Sequence, residues 1–131
     1  MIFLDTSAIY ALADRSDPRH SVAVERFGAL LADGSAILTH NYVLVESLAL
    51  VQHRLGREAA VKTARSAARF EIAWIDSALH REAVRRFGRA RGRRVSFVDE
   101  TSFLIMKSRG IDTAFAFDAD FAKRGFRLLG E

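Results

Sequence analysis

The sequence predicts an α/β fold, a three-layer α/β/α sandwich around a central, mainly parallel sheet, and three observations carry that expectation. Apolar runs of three to six residues alternate with longer segments of helical period. Strands alternating with helices need right-handed crossovers, which give a parallel sheet covered on both faces. Finally, 131 residues that are 50% hydrophobic are enough for one such core and too few for two. Residues 1–131 are therefore expected to form a single domain.

The elements follow in order. Ile2, Phe3 and Leu4 read as a short buried strand, and a helix over 7–13 follows at once, with Asp5, Thr6 and Ser7 at the handover. Residues 20–32 carry Val22, Val24, Phe27, Leu30 and Leu31, an amphipathic helix closed by Asp33 and Gly34. SAILT at 35–39 is a second strand, 41–55 a strongly apolar helix and 57–69 another. FEIAWID at 70–76 reads as the third strand, 77–91 as a helix and RVSFVD at 94–99 as the fourth strand. Residues 100–109 are helical, TAFAFD at 113–118 is the fifth strand, and a short helix and a strand at RLL close the chain. The single proline, Pro18, lies in the loop between the first two helices. There is no repeat, low-complexity tract or linker.

Composition removes several chemistries. With no Cys, disulfides, thiolate zinc and thiol nucleophiles drop out, which suits a reducing cytoplasm. The longest stretch without Asp, Glu, Lys or Arg is the twelve residues 34–45, too short to span a bilayer. Asp5 interrupts the first apolar run after three residues, unlike a signal peptide. A cytoplasmic protein with no membrane partner is expected. The phosphate-binding and dinucleotide glycine motifs are missing, as is the nucleophile elbow.

The charge is +4, and 17 of the 20 cations are Arg, the remainder being three lysines. Arg suits phosphate because its planar fork donates paired hydrogen bonds. Arg85, Arg86, Arg89, Arg91, Arg93 and Arg94 crowd into one decapeptide. They read either as a solvated helix end offsetting the helix dipole or as a phosphate-binding patch, a nonspecific footprint of nucleic-acid binding.

Carboxylates are the more telling group. The C-terminal ends of parallel strands share one rim, where ligands bind in open α/β sheets, and Asp5, Asp99 and Asp118 each close a predicted strand. Glu46 joins them from a helix whose neighbouring positions, Tyr42, Val43, Ala49 and Leu50, are largely apolar, and an ionised Glu on such a face is costly unless paired or metal-bound. Two carboxylates about 4 Å apart repel by roughly 4 kcal/mol at an effective dielectric near 20. A divalent cation answers that repulsion, and an all-oxygen set with no Cys and no paired His favours Mg²⁺ or Mn²⁺ over Zn²⁺. Such an ion activates water and stabilises a phosphodiester in its transition state.

Other polar residues have plainer readings. Asp5 taken alone is an N-cap, as is Asp76 ahead of a long helix, although position alone does not keep Asp76 from the rim. Asp120 is either a fifth ligand or a cap for the last helix. Glu100 complements a helix dipole. His20, His40, His53 and His80 lack ligand spacing and read as surface or loop histidines. An Asp nucleophile of the haloacid-dehalogenase type would need a second Asp where Ser7 stands.

With these residues in hand, the chain resembles the PIN domains, specifically the VapC-type toxins of toxin–antitoxin pairs. The likeness runs the whole length: Asp5 in FLDTSAIYAL, Glu46 in THNYVLVESL, Asp99 in SFVDETSF and Asp118 in FAFDADF, with DPRH and FDADFAKRGF also similar. It implies an endoribonuclease whose acidic pocket binds Mg²⁺ or Mn²⁺ through Asp5, Asp99, Asp118 and Glu46. Thr6 or Ser7 and Ser102 match polar positions that orient ligands or a phosphate, Asp120 stays open between an outer or extra ligand and a cap, and Asp5 is expected to hold metal while Thr6 or Ser7 does any capping. Implied partners are an RNA substrate (tRNA, rRNA or mRNA), a VapB-type antitoxin, a second copy in a homodimer, a heterotetramer or larger assembly with antitoxin, and promoter DNA through the antitoxin only. Glu100 beside Asp99 departs from the pattern and bears on local charge. Two other readings are a PIN nuclease of RNA maturation or decay without an antitoxin, and a non-catalytic RNA- or partner-binding domain. Four retained acids argue against the last, since an idle cluster offers only repulsion.

Overall fold

A computed structural model describes residues 1–90 and 95–129. Among these, the elements are β1 Ile2–Leu4, α1 Thr6–Ala13, α2 His20–Ala32, β2 Ile37–His40, α3 Asn41–Leu55, α4 Arg57–Ala67, β3 Glu71–Ala73 and α5 Ser77–Arg89, followed by α6 Phe97–Arg109, β4 Thr113–Phe115, α7 Asp120–Lys123 and β5 Arg127–Leu128. The five strands form one sheet in the order β3-β2-β1-β4-β5, every pair parallel.

The strands are short because each needs only enough apolar residues to cross the core. Phe3, Leu4, Leu38, Ala114 and Phe115 are fully buried, as expected where helices cover both faces of a parallel sheet. α1 packs on α2 and α3, α3 on α4 and α6, and α5 on α6. Phe3 pairs with Leu38 on one side and Ala114 on the other, and His40 pairs with Ala73. Asp5, His40, Ala73 and Ala116 therefore stand nearly level along one rim.

One element differs from expectation. No strand occupies 95–99: Ser96 caps α6, its hydroxyl accepting from Asp99 N at 3.1 Å, and the helix runs from Phe97. The apolar residues of VSFV match a strand, but Ser followed three residues later by Asp is also a helix-start pattern, and capping with packing prevails. Arg94, the first residue of the expected strand, lies outside the described residues, as do Arg91 and Arg93. The sheet keeps five strands because the closing RLL segment supplies β5. α6 ends at Gly110, whose φ of 66° lets Ile111 N reach Met106 O at 2.8 Å. That left-handed turn suits glycine and sends the chain into β4.

Candidate metal centre

Asp5 follows the last residue of β1 and does two things at once. It is the N-cap of α1, with Oδ2 accepting from Ser7 N at 3.1 Å and from Ser7 Oγ at 2.7 Å. The expectation that Thr6 or Ser7 caps in its place is thus corrected: a carboxylate has two oxygens, and capping occupies one. The other, Oδ1, is buried without a partner. Ser7 Oγ also accepts from Phe117 N at 2.9 Å, tying the end of β1 to the residue before Asp118. Burial above all, with some help from the charge of Glu46, raises the Asp5 carboxyl to about 6 against the pull of its hydrogen bonds to Ser7.

Asp99 approaches from a helix. It sits in the first turn of α6, 9% exposed. Its pKa is pushed up to about 7, first by burial and then by the charges of Asp5, Asp118, Glu46 and Asp120. Carboxylate oxygens of Asp99, Asp118 and Asp120 lie within 4.8 Å of one another. Asp120 opens α7 but does not cap it, since the cap position is Ala119. Instead Asp120 N donates to Asp118 Oδ1 at 2.9 Å, and Lys123 Nζ stands 3.8 Å from Asp120 Oδ1. Glu46 is half-buried on α3 and near enough to act on both Asp5 and Asp99. Five acids from β1, α3, α6 and the β4–α7 segment thus converge.

His40 is the residue that sequence reasoning misplaced. Expected at the surface, it is fully buried at the end of β2. Its Nδ1 accepts from Tyr42 N and Val43 N, both at 3.2 Å, so an imidazole caps the helix that carries Glu46. The ring proton therefore belongs on Nε2, which donates to Ser102 Oγ at 2.9 Å, and Ser102 in turn donates to Val98 O at 3.0 Å. Burial lowers the pKa to about 3, keeping the ring neutral. His20 is half-buried and bonded to Ala11 O at 2.7 Å, while His53 and His80 are exposed, His80 against the Tyr42 hydroxyl.

Other expected residues fall as follows. Thr6 is 8% exposed and its hydroxyl has no partner; the hydroxyl of Ser47, beside Glu46, is likewise buried and unpartnered. Ser102 spends its hydroxyl on Val98 and His40. Asp76 caps α5, accepting from Leu79 N at 2.9 Å. Glu100, buried to 3% exposure, turns from the acids to Arg124, so its role exceeds the expected dipole complement. Arg85 and Arg86 pair with Glu82 on their own helix, and Arg86 and Arg89 lie in its last turn.

The donor set fits a hard divalent cation. It is all oxygen, it includes an acid oxygen that is buried and unpartnered, and it gathers like charges that resist ionising together.

The chain is similar to known proteins. A family model, PIN domain, matches residues 2–127. Two curated relatives, both named 23S rRNA-specific endonuclease VapC20, come from Mycobacterium tuberculosis strains CDC 1551 / Oshkosh and ATCC 25618 / H37Rv. Each is 37% identical over 128 residues, 96% of this chain and 95% of theirs. The crystal structure of M. tuberculosis VapC20, described as a sarcin-ricin loop cleaving toxin, superposes with a TM-score of 0.84 over 96% of both chains at 37% identity.

Proposed function

This chain belongs to the PIN-domain family, in its VapC branch, and from that premise we propose that it is a Mg²⁺- or Mn²⁺-dependent endoribonuclease acting as the toxin of a toxin–antitoxin pair. The observation that carries the reading is the convergence of Asp5, Glu46, Asp118 and Asp120 on Asp99, with Asp5 Oδ1 buried and unpartnered among them. Asp5, Asp99 and Asp118 would hold the ion, Glu46 a metal, water or second ion, and Asp120 an outer position. When bound, the ion supplies an activated water and a counter-charge for the phosphodiester.

The chain's own residues set the stage. Ser7 fixes one oxygen of Asp5 so that the other keeps a single direction. Burial and the neighbouring acids push the Asp99 carboxyl up to about 7, a cost that a bound cation would relieve. The relatives' named target favours ribosomal RNA, and loop RNA in particular, over tRNA or mRNA. Trp74 stands 67% exposed one residue beyond β3, on the rim that Asp5 occupies and about 10 Å away at two strand spacings. It is a ring available to stack on an unpaired base. The α5 arginines, with Arg91, Arg93 and Arg94 beyond them, would hold the backbone. A VapB-type antitoxin would silence the site, and we assign its helix to the groove of about 400 Å³ beside α1, α2 and α4, where Leu12, Phe27 and Phe70 supply an apolar floor and Arg15 and Lys62 charge. A homodimer, a heterotetramer or larger assembly with antitoxin, promoter binding through the antitoxin alone and a cytoplasmic setting complete the reading. No helix among the described residues is long and apolar enough to cross a membrane.

Cleavage of labelled total RNA by antitoxin-free protein tests this. Cuts at a few sites with Mg²⁺ or Mn²⁺, none with chelator, and a loss on the order of 100-fold or more in folded Asp5→Asn and Asp99→Asn are expected. No cut under any condition would overturn it.

A further inference from the structure

The geometry points to a latch: the Glu100–Arg124 ion pair holds the Asp118–Asp120 arm against Asp99 before any cation binds. Glu100 and Asp99 are consecutive on α6 and serve opposite ends of one short segment. Asp118 and Asp120 meet Asp99 at one end of it, carboxylate against carboxylate. Arg124, the C-cap of α7, meets Glu100 at the other, four residues after Asp120. The seven residues 118–124 are thus repelled from α6 at one end and attracted to it at the other.

The attractive end is well built. Both Glu100 oxygens take a guanidinium N–H, one at 3.3 Å from Arg124 Nη1 and the other from Nη2. The Glu100 side chain is 4% exposed and that of Arg124 36%, so the pair is sheltered on the acid side and open on the basic side. The guanidinium also lies 4.8 Å from the centre of the Phe103 ring, one turn along α6 from Glu100. Phe121 and Phe126 seat the segment on the same Phe103, at 5.0 and 5.7 Å between ring centres. Apolar packing therefore anchors the segment, and the planar two-pronged pairing fixes its angle. A buried carboxylate one residue from a metal ligand would otherwise add to the repulsion there; Arg124 cancels it. Glu100 and Arg124 are positioning residues, and the inference rests on the proposed function only in taking the acids for a metal centre.

Amide hydrogen exchange in chelator is the test, because it needs neither metal nor RNA. In the wild type, the amides of Lys123, Arg124 and Phe126, which donate to Ala119, Asp120 and Phe121, should be protected without a cation. Glu100→Gln, and the apolar double variant Glu100→Leu with Arg124→Leu, should speed their exchange roughly tenfold, the size of one charge-assisted hydrogen bond removed, with β1 and α1 unchanged. Mn²⁺ should restore protection. In an Asp99→Asn background, where the repulsion is weakened, the segment should exchange more slowly, both with Glu100 in place and in Glu100→Gln. The idea falls if the wild-type segment exchanges freely in chelator, if the variants loosen the whole chain evenly, or if Asn at position 99 leaves the segment's exchange unchanged, which is the result of a merely structural contact. A protein that cuts no RNA would sink the nuclease reading and leave these outcomes readable.

Discussion

Asp99 concentrates the cost of the site in one residue. A carboxyl raised from about 4 to about 7 binds its proton more tightly in the folded chain than in the unfolded one. Between those values the folded state therefore holds the extra proton, so stability falls as pH rises across the window and the penalty is complete above it. Asp5, raised to about 6, acts in the same direction. Each unit corresponds to about 1.4 kcal/mol, and the two titrate together, so the pair is worth several kcal/mol. Thermal melts in chelator should show the midpoint falling from pH 5 to pH 8, with added Mn²⁺ recovering more at pH 8 than at pH 5. Asp99→Asn, which removes the charge at nearly constant shape, should raise the chelator midpoint at pH 8 by several degrees while ending cleavage. A midpoint flat in pH, or an Asn variant that melts lower, would contradict this account.

The helices bearing Glu46 and Asp99 are joined through His40, which caps α3 with one ring nitrogen and holds Ser102 of α6 with the other. His40→Asn keeps a capping oxygen but cannot span to Ser102; His40→Ala loses both links and leaves a cavity. The Ala variant should cost about 2–4 kcal/mol and the Asn variant less, by denaturant unfolding. Both should weaken Mn²⁺ binding, because the two acids lose their common brace, and equal stability of both variants to wild type would exclude that bracing. Elements are legible where one signal dominates. The helices at 20–32 and 41–55 have the expected bounds, β1, β3 and β4 fall within the apolar runs that predict them, and β2 runs one residue past its own, to His40. The stretch before Asp99 carries two signals, apolar residues for a strand and Ser96 with Asp99 for a cap, and the strand signal is the louder in sequence. Asp99 is still legible as an acid of the site, since a helix start and a strand end reach the same rim. His40 and the Glu100–Arg124 pair have no such signal. One lies buried at a strand end and the other spans 24 residues, so only the packed chain brings their partners together.

At the scale of the molecule, charge is divided. Five of the 16 acids, Asp5, Glu46, Asp99, Asp118 and Asp120, gather at the rim, with Lys123 beside Asp120, and the other 11 acids are outnumbered by the chain's 20 cations. A phosphodiester is thus repelled by the metal-free pocket and attracted by most of the remaining surface. RNA binding in chelator should therefore survive and depend steeply on salt. Replacing Arg85, Arg86 and Arg89 with Gln should flatten the plot of log affinity against log salt by about 0.7 for each phosphate no longer neutralised. Arg89 alone should contribute at least as much as either of the others, because Glu82 already engages Arg85 and Arg86. Trp74, the only tryptophan in the chain, reports on the other end of the track through its own emission. A hairpin with an unpaired loop should quench it, and a blunt duplex of matched length should bind through charge alone and leave it unchanged. An unaltered salt slope in the triple variant would remove the arginines from the path. Unquenched emission at saturating hairpin would remove the tryptophan and leave the bases to be held elsewhere along the rim.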